Sequence, residues 1–117
     1  MANYSKISVP AEARTELHDA LGLTGAEISV NTMPAGASVP FVHAHKHNEE
    51  IYGIISGKGI MNLDGENVAL TAGDWLRVAP EVKRQLSAAA DSPINYICIQ
   101  VKAGSLEGYT IDDAIIG

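Results

Sequence analysis

The stretch Val42-His43-Ala44-His45-Lys46-His47-Asn48-Glu49-Glu50-Ile51-Tyr52 decides how this chain reads. It holds three of the chain's four histidines. Side chains alternate faces along an extended strand, so His43 and His45 point the same way. Two neutral imidazoles on one face make a clamp for a borderline metal, and a carboxylate from the adjoining run adds an anionic ligand. Glu50 shares parity with Tyr52 and Ile54, which turns it inward, and Glu49 then turns outward. Two histidines and one carboxylate leave coordination positions open for water or substrate. The competing reading is a solvated, histidine-rich loop without a ligand. His47 keeps the parity of His45 only if the strand continues, and Asn48 favours a turn there. His47 is therefore a reserve ligand or a residue beside the site.

Around this stretch the chain is punctuated like an all-β domain. Short β-rich runs cover 26–33, 51–55, 59–63, 68–70, 75–78 and 94–101. Turn signals separate them at Pro34-Ala35-Gly36, Ser56-Gly57, Asp64-Gly65, Ala72-Gly73-Asp74 and Ala90-Asp91-Ser92-Pro93. Asp64-Gly65 is a hairpin dipeptide. Spacing of this kind predicts an antiparallel sandwich or barrel. In the run 94–101, Ile97, Ile99 and Val101 alternate against Ile94, Tyr96 and Cys98, so both faces are apolar. Such a strand is covered on one side by the core and on the other by a partner or a terminal segment. A single helix is predicted over 10–21. Pro10 suits its first turn, Leu17 and Leu21 are four apart, and Gly22 stands where a helix stops. His18 falls in this helix as a surface residue.

The chain has 117 residues, enough for one domain, and is 46% apolar, enough for one core. Acidic residues outnumber Lys plus Arg by 14 to 8, for a formal charge of -6. Phosphate backbones repel a chain of that sign, and no basic stripe interrupts it, which argues against nucleic-acid binding. Cys98 is the one cysteine, so no intramolecular disulfide forms and a cytoplasmic location is the default expectation. The first ten residues hold no apolar stretch of signal-peptide length, and no segment approaches a membrane span.

The order His43-Ala44-His45, four residues, Glu50, six residues, Gly57 resembles the first motif of the cupin superfamily. That motif runs Gly, a short gap, His-x-His, three or four residues, Glu, six residues, Gly. The match selects Glu50 over Glu49, and the leading Gly36 stands one residue further from His43 than usual. The second cupin motif runs Gly, five residues, Pro-x-Gly, two residues, His, three residues, Asn. Counted from Gly73, Ala79 stands for its Pro, Glu81 for its Gly, Arg84 for its His and Ala88 for its Asn. Only Gly73 survives, with Asp74 and Pro80 as typical company. The resemblance covers about 26–102. It implies an all-β, cupin-type double-stranded β-helix (a jelly-roll barrel) with a short N-terminal helix. A single domain then spans 1–117, with an N-terminal extension to residue 25, the barrel over 26–102 and a tail over 103–117. Small cupins are commonly dimers, so the resemblance also implies a homodimer.

Arg84 is the sharpest departure. The second-motif His normally supplies the last metal ligand, but a guanidinium has no free lone pair and stays protonated. In one outcome His43, His45 and Glu50 still hold a divalent transition metal, and Arg84 beside it clamps the anionic group of a small-molecule ligand. Iron, manganese, zinc, nickel and copper all accept this ligand set. In a second outcome Arg84 pairs with Glu50, its charge replaces the metal, and the site binds organic ligands without one. In a third, Arg84 faces outward and pairs with a surface carboxylate such as Glu81. Burying a lone charge is costly, so an inward Arg84 needs an anionic partner. Tyr52, Trp75 and Tyr96 are candidates to line a pocket. Tyr52, His47 and Arg84 form the expected ligand-binding set.

Lys58 lies between two glycines in a turn and has no phosphate-loop spacing. Cys98 is mid-strand, and no Ser-His-Asp or Cys-His order is present. Three functions fit these residues. One is a metal-dependent enzyme, an oxygenase or isomerase, acting on a small anionic or oxygen-rich molecule. Another is a metal-free binding or sensing module. The last is a structural barrel with a vestigial histidine cluster.

Overall fold

The computed structural model describes residues 3–117. Among these, the strands are β1 (Arg14–Glu16), β2 (Glu27–Met33), β3 (Asn48–Leu63), β4 (Glu66–Thr71), β5 (Trp75–Val78), β6 (Arg84–Ala88) and β7 (Ile94–Lys102). One helical turn, α1 (His18–Leu21), and a 3-10 turn at Ile111–Asp113 complete the elements.

The 16-residue β3 organises the barrel. Its first half pairs antiparallel with β7 on one edge and β5 on the other. Its second half pairs with β4 and β6. One strand therefore belongs to both sheets. The predicted break at Ser56-Gly57 is instead a bend within β3, where the register against β7 shifts between Ile54 and Ser56. A bulge re-aims a strand without ending it. Gly57 serves the bend twice: its φ is 79°, and a Cβ there would overlap the carbonyl of Pro93. Past the bend, Asp64 and Gly65 close the β3–β4 hairpin with φ values of 50° and 90°. Leu63 and Glu66 face each other across the two-residue loop, as the sequence predicts for a turn that needs two positive φ values.

β2 pairs with the free edge of β7, and β1 pairs with β2, giving the order β1-β2-β7-β3. The helix predicted over 10–21 is corrected here. Arg14–Glu16 is a strand against Ser29–Asn31, and only one helical turn follows before Gly22 at φ 68°. The open edge of β2 satisfies the backbone of this segment, with Thr32 N–H donating to Ala13 O and Leu17 N–H to Ile28 O. A short helix with only Leu17 and Leu21 to bury has no comparable support.

The core between the sheets is built from Ile54, Met61, Leu70, Val78, Leu86 and Ile94, with Tyr52 and Tyr96 at one end. No helix is long and apolar enough to cross a membrane among the described residues.

Candidate metal and ligand site

Glu50 is the hub of the site. It is 5% exposed and lies on the inward face of β3, two residues from Tyr52 on the same face. Its Oε1 accepts hydrogen bonds from the Tyr52 hydroxyl at 2.8 Å and from Arg84 Nη1 at 2.8 Å. Its Oε2 accepts from the Cys98 thiol at 3.4 Å. The two imidazoles complete the cluster, His43 Nε2 lying 3.7 Å from Oε1 and His45 Nε2 3.4 Å from Oε2. Their rings meet edge to face with centroids 5.2 Å apart.

Strand pairing brings these groups together from distant parts of the chain. Residues 36–43 run antiparallel beside β6, with Gly36 N–H donating to Ala89 O and Val39 N–H to Leu86 O. At the end of this track His43 and Arg84 form a bridge pair. His45 is fixed by its carbonyl, which accepts the Glu81 N–H at 2.7 Å. β7 places Cys98 opposite Tyr52, and Gln100 opposite Glu50.

The electrostatics follow from this burial. Desolvation works to raise the Glu50 pKa, but the hydrogen bonds from Tyr52, Arg84 and Cys98 outweigh it, and the carboxyl is held below its ordinary value. Desolvation is also the largest influence on His43 and lowers its pKa, against the pull of Glu50. The ring therefore favours its neutral form, the form with a lone pair to give. Burial, then the charge of Glu50, pushes the Cys98 thiol up to about 12, so it stays an S–H donor. Burial raises Tyr96 to about 12 and Tyr52 further in the same direction.

One nitrogen from each of His43 and His45 and one oxygen of Glu50 all lie within 4.8 Å of one another. A carboxylate and two imidazoles with converging donor atoms fit a divalent transition metal. Arg84 reaches the same Glu50 oxygen that His43 faces, from the position at which the second motif carries its histidine. Its outer partners are backbone carbonyls, Val82 O for Nε and Nη2 and Ala79 O for Nη2. The side chain is 1% exposed and points inward, which sets aside the outward pairing with Glu81.

A cavity of about 660 Å³ opens onto this cluster. His43, His45, Glu50 and Tyr52 stand on its wall, with Tyr96, Cys98 and Gln100 beside them. Arg84 and His47 are not on that wall. The guanidinium lies behind Glu50, and His47 is exposed, its carbonyl accepting the Ala103 N–H at 3.0 Å. Trp75, expected as a pocket residue, is 61% exposed and covers Gly53 on the outer face of the sheet. β5 pairs Trp75 with Gly53, and the parity of that pair is opposite to that of Tyr52. The cavity wall also includes Arg14 and Asn31, which the sequence reading missed. The sequence pattern predicts a helix around Arg14 and a plain strand around Asn31, and the β1–β2 pairing is what brings the two together here.

The family model described as "Cupin domain" matches residues 29–100. The chain is a member of the cupin family. A cupin protein of known structure from Bacteroides fragilis is 67% identical, with a TM-score of 0.97 over 100% of this chain and 99% of that one. A Cupin 2 conserved barrel domain protein from Salinispora arenicola is 20% identical, with a TM-score of 0.73 over 86% of this cupin and 92% of that chain. An uncharacterized protein of Methanocaldococcus jannaschii is 30% identical over 66 residues, 56% of this chain and 52% of its own length. This cupin thus spans about half the length of that curated relative. The barrel and the first-motif residues agree with membership, and the second motif persists in backbone form. Glu81, at the place of its glycine, keeps a φ of 71°.

Proposed function

We propose that this cupin binds a divalent transition metal through His43, His45 and Glu50 and acts there on a small organic molecule that is anionic in part. The observation that carries the reading is the convergence of three ligand atoms within 4.8 Å on the wall of a cavity of about 660 Å³. A bound metal supplies Lewis acidity at its open positions, which suits an isomerase or an oxygenase. The chain's own residues do the rest. Tyr52 and Arg84 fix the Glu50 carboxylate, and the wall of Met33, Val39, Phe41 and Leu86 excludes water from the apolar part of the ligand. Arg84 holds Glu50 from behind and offsets its charge, which weakens the attraction for a dication relative to a site with a fourth ligand.

Elemental analysis of untagged protein tests this. Near-stoichiometric iron, manganese, zinc, nickel or copper is expected, with loss on His43→Ala or His45→Ala. Protein that stays metal-free after exposure to each of these metals overturns the reading. The 2.8 Å Arg84–Glu50 contact favours a second reading, in which the site takes organic ligands without metal. A ligand whose thermal stabilisation survives a strong chelator would select it.

Two further features belong to the proposal. Val30, Ile51, Ile97 and Ile99 share the outer face of the sheet, and their pairing across β2, β7 and β3 makes one apolar strip with Trp75 at its edge. We assign this face to a homodimer, checked by sedimentation of wild type against Ile97→Lys. A partly buried free Cys98 thiol suits the reducing cytoplasm.

A further inference from the structure

We infer that Arg14, on the wall of the cavity, reads the charged end of the ligand, and that this end is a monocarboxylate. The inference rests on the reading that the cavity takes a small organic anion, and its charge count is that of the metal-free site.

Arg14 is the only lysine or arginine on the cavity wall among the described residues. Arg84, the cation at the second-motif histidine position, is occupied behind Glu50 by four donor contacts to Glu50, Val82 and Ala79. The guanidinium of Arg14 is held in place from one side. Its Nη1 donates to Asn31 Oδ1 at 3.0 Å, and Asn31 is 3% exposed. The Asn31 amide in turn donates to Ser29 Oγ at 2.9 Å, which fixes the acceptor. Holding a recognition group before the ligand arrives lowers the ordering cost of binding. Nε donates to Glu16 Oε1 at 3.1 Å, but both of those side chains are more than half exposed, so this pair contributes little and yields readily. Nη2 has no acceptor among the described residues. A guanidinium with an uncommitted edge matches the planar fork of a carboxylate.

Charge count selects a monoanion. With the Glu50 carboxylate balanced by Arg84, Arg14 is the one cation on the cavity wall left to meet a ligand among the described residues. A phosphate dianion would meet one guanidinium within a chain of net charge -6. Met33, Val39, Phe41 and Leu86 also line the cavity, which suits a ligand with an apolar body.

The test is titration of 3-phenylpropanoate, its primary amide and phenyl phosphate into wild type, Arg14→Gln and Arg14→Lys, followed by amide NMR shifts. The carboxylate is expected to bind wild type, and to bind Arg14→Gln about tenfold or more weakly. The amide is expected to bind both weakly and alike. Arg14→Lys should recover only part of the affinity, because an ammonium lacks the fork. The inference falls if Arg14→Gln keeps carboxylate affinity within about twofold. It falls equally if acid and amide bind wild type alike, if no probe binds, or if phenyl phosphate binds tighter through Arg14. Matching melting temperatures certify that each variant is folded. Metal content measured on the same samples separates this outcome from that of the metal reading.

Discussion

His43 and Arg84 are partners across an antiparallel bridge, the N–H of each donating to the carbonyl of the other at 3.1 and 2.9 Å. Paired residues in antiparallel strands project to the same face. Both side chains accordingly reach the same oxygen, Glu50 Oε1, Arg84 at 2.8 Å and His43 at 3.7 Å. The second-motif position thus still faces the site although its chemistry has changed from ligand to cation. Arg84→His should raise metal affinity by about tenfold or more, since it adds a fourth ligand and removes a competing charge. Competition against a fluorescent chelator measures this. Unchanged affinity would place residue 84 outside the coordination sphere.

The same contact carries stability. Arg84→Met leaves the 5%-exposed Glu50 without its cationic partner, and breaking a buried pair from one side costs about 3–5 kcal/mol. The Tyr52 and Cys98 hydrogen bonds remain, which favours the lower end of that range. The double variant Arg84→Met, Glu50→Gln should recover much of the loss, because no buried charge is left unpaired. Urea denaturation of the two variants checks the pair. A cost under about 1 kcal/mol for Arg84→Met would mean that the pair adds nothing beyond a surface bridge.

Glu81 offers a gain. Its φ of 71° lies in the left-handed region that glycine occupies freely, and its N–H holds His45 through the carbonyl at 2.7 Å. A non-glycine residue there carries a strain of about 1–2 kcal/mol, partly offset by the greater freedom glycine has when unfolded. Glu81→Gly should therefore stabilise the protein by about 0.5–1 kcal/mol, read as a higher urea midpoint at unchanged slope. Loss of stability would indicate that the Glu81 side chain makes a compensating contact.

Much of this arrangement was legible in the chain before folding. The parity of His43, His45 and Glu50 predicted their convergence, and the alternation of Tyr96 and Cys98 against Ile97 and Ile99 predicted the two faces of β7. What the sequence hid depended on non-local pairing. Arg84–Ala88 carries Arg, Gln and Ser among its five residues and looks unlike a strand, yet it is paired by β3 on one side and tracked by 36–43 on the other. Arg14–Glu16 is a strand only because β2 offers it an edge. Ser56-Gly57 has turn composition and acts as a bend, since neighbours on β7 continue the ladder through it. Local propensity yields in each case to tertiary pairing. Arg14 was missed for the same reason, as its place on the cavity wall follows from the β1 register and not from any motif.

Two groups at the site make the metal-free protein sensitive to acid in the same direction. Glu50 is held below its ordinary carboxyl value, so it contributes stability above the unfolded pKa, and that contribution disappears as pH falls through the folded value. His43 is also lowered, from an ordinary value of 6.5, because burial favours the neutral ring. Below pH 6.5 the unfolded chain takes up a proton that the folded ring resists, and stability declines until the folded ring titrates as well. The two windows follow one another, His43 first and Glu50 at lower pH. Urea midpoints of chelator-treated protein should fall on acidification in two stages. His43→Gln should remove the upper stage and leave the lower one, while Glu50→Gln should do the reverse. A midpoint that holds steady down to the ordinary carboxyl range in the wild type would show that His43 is not buried in its neutral form.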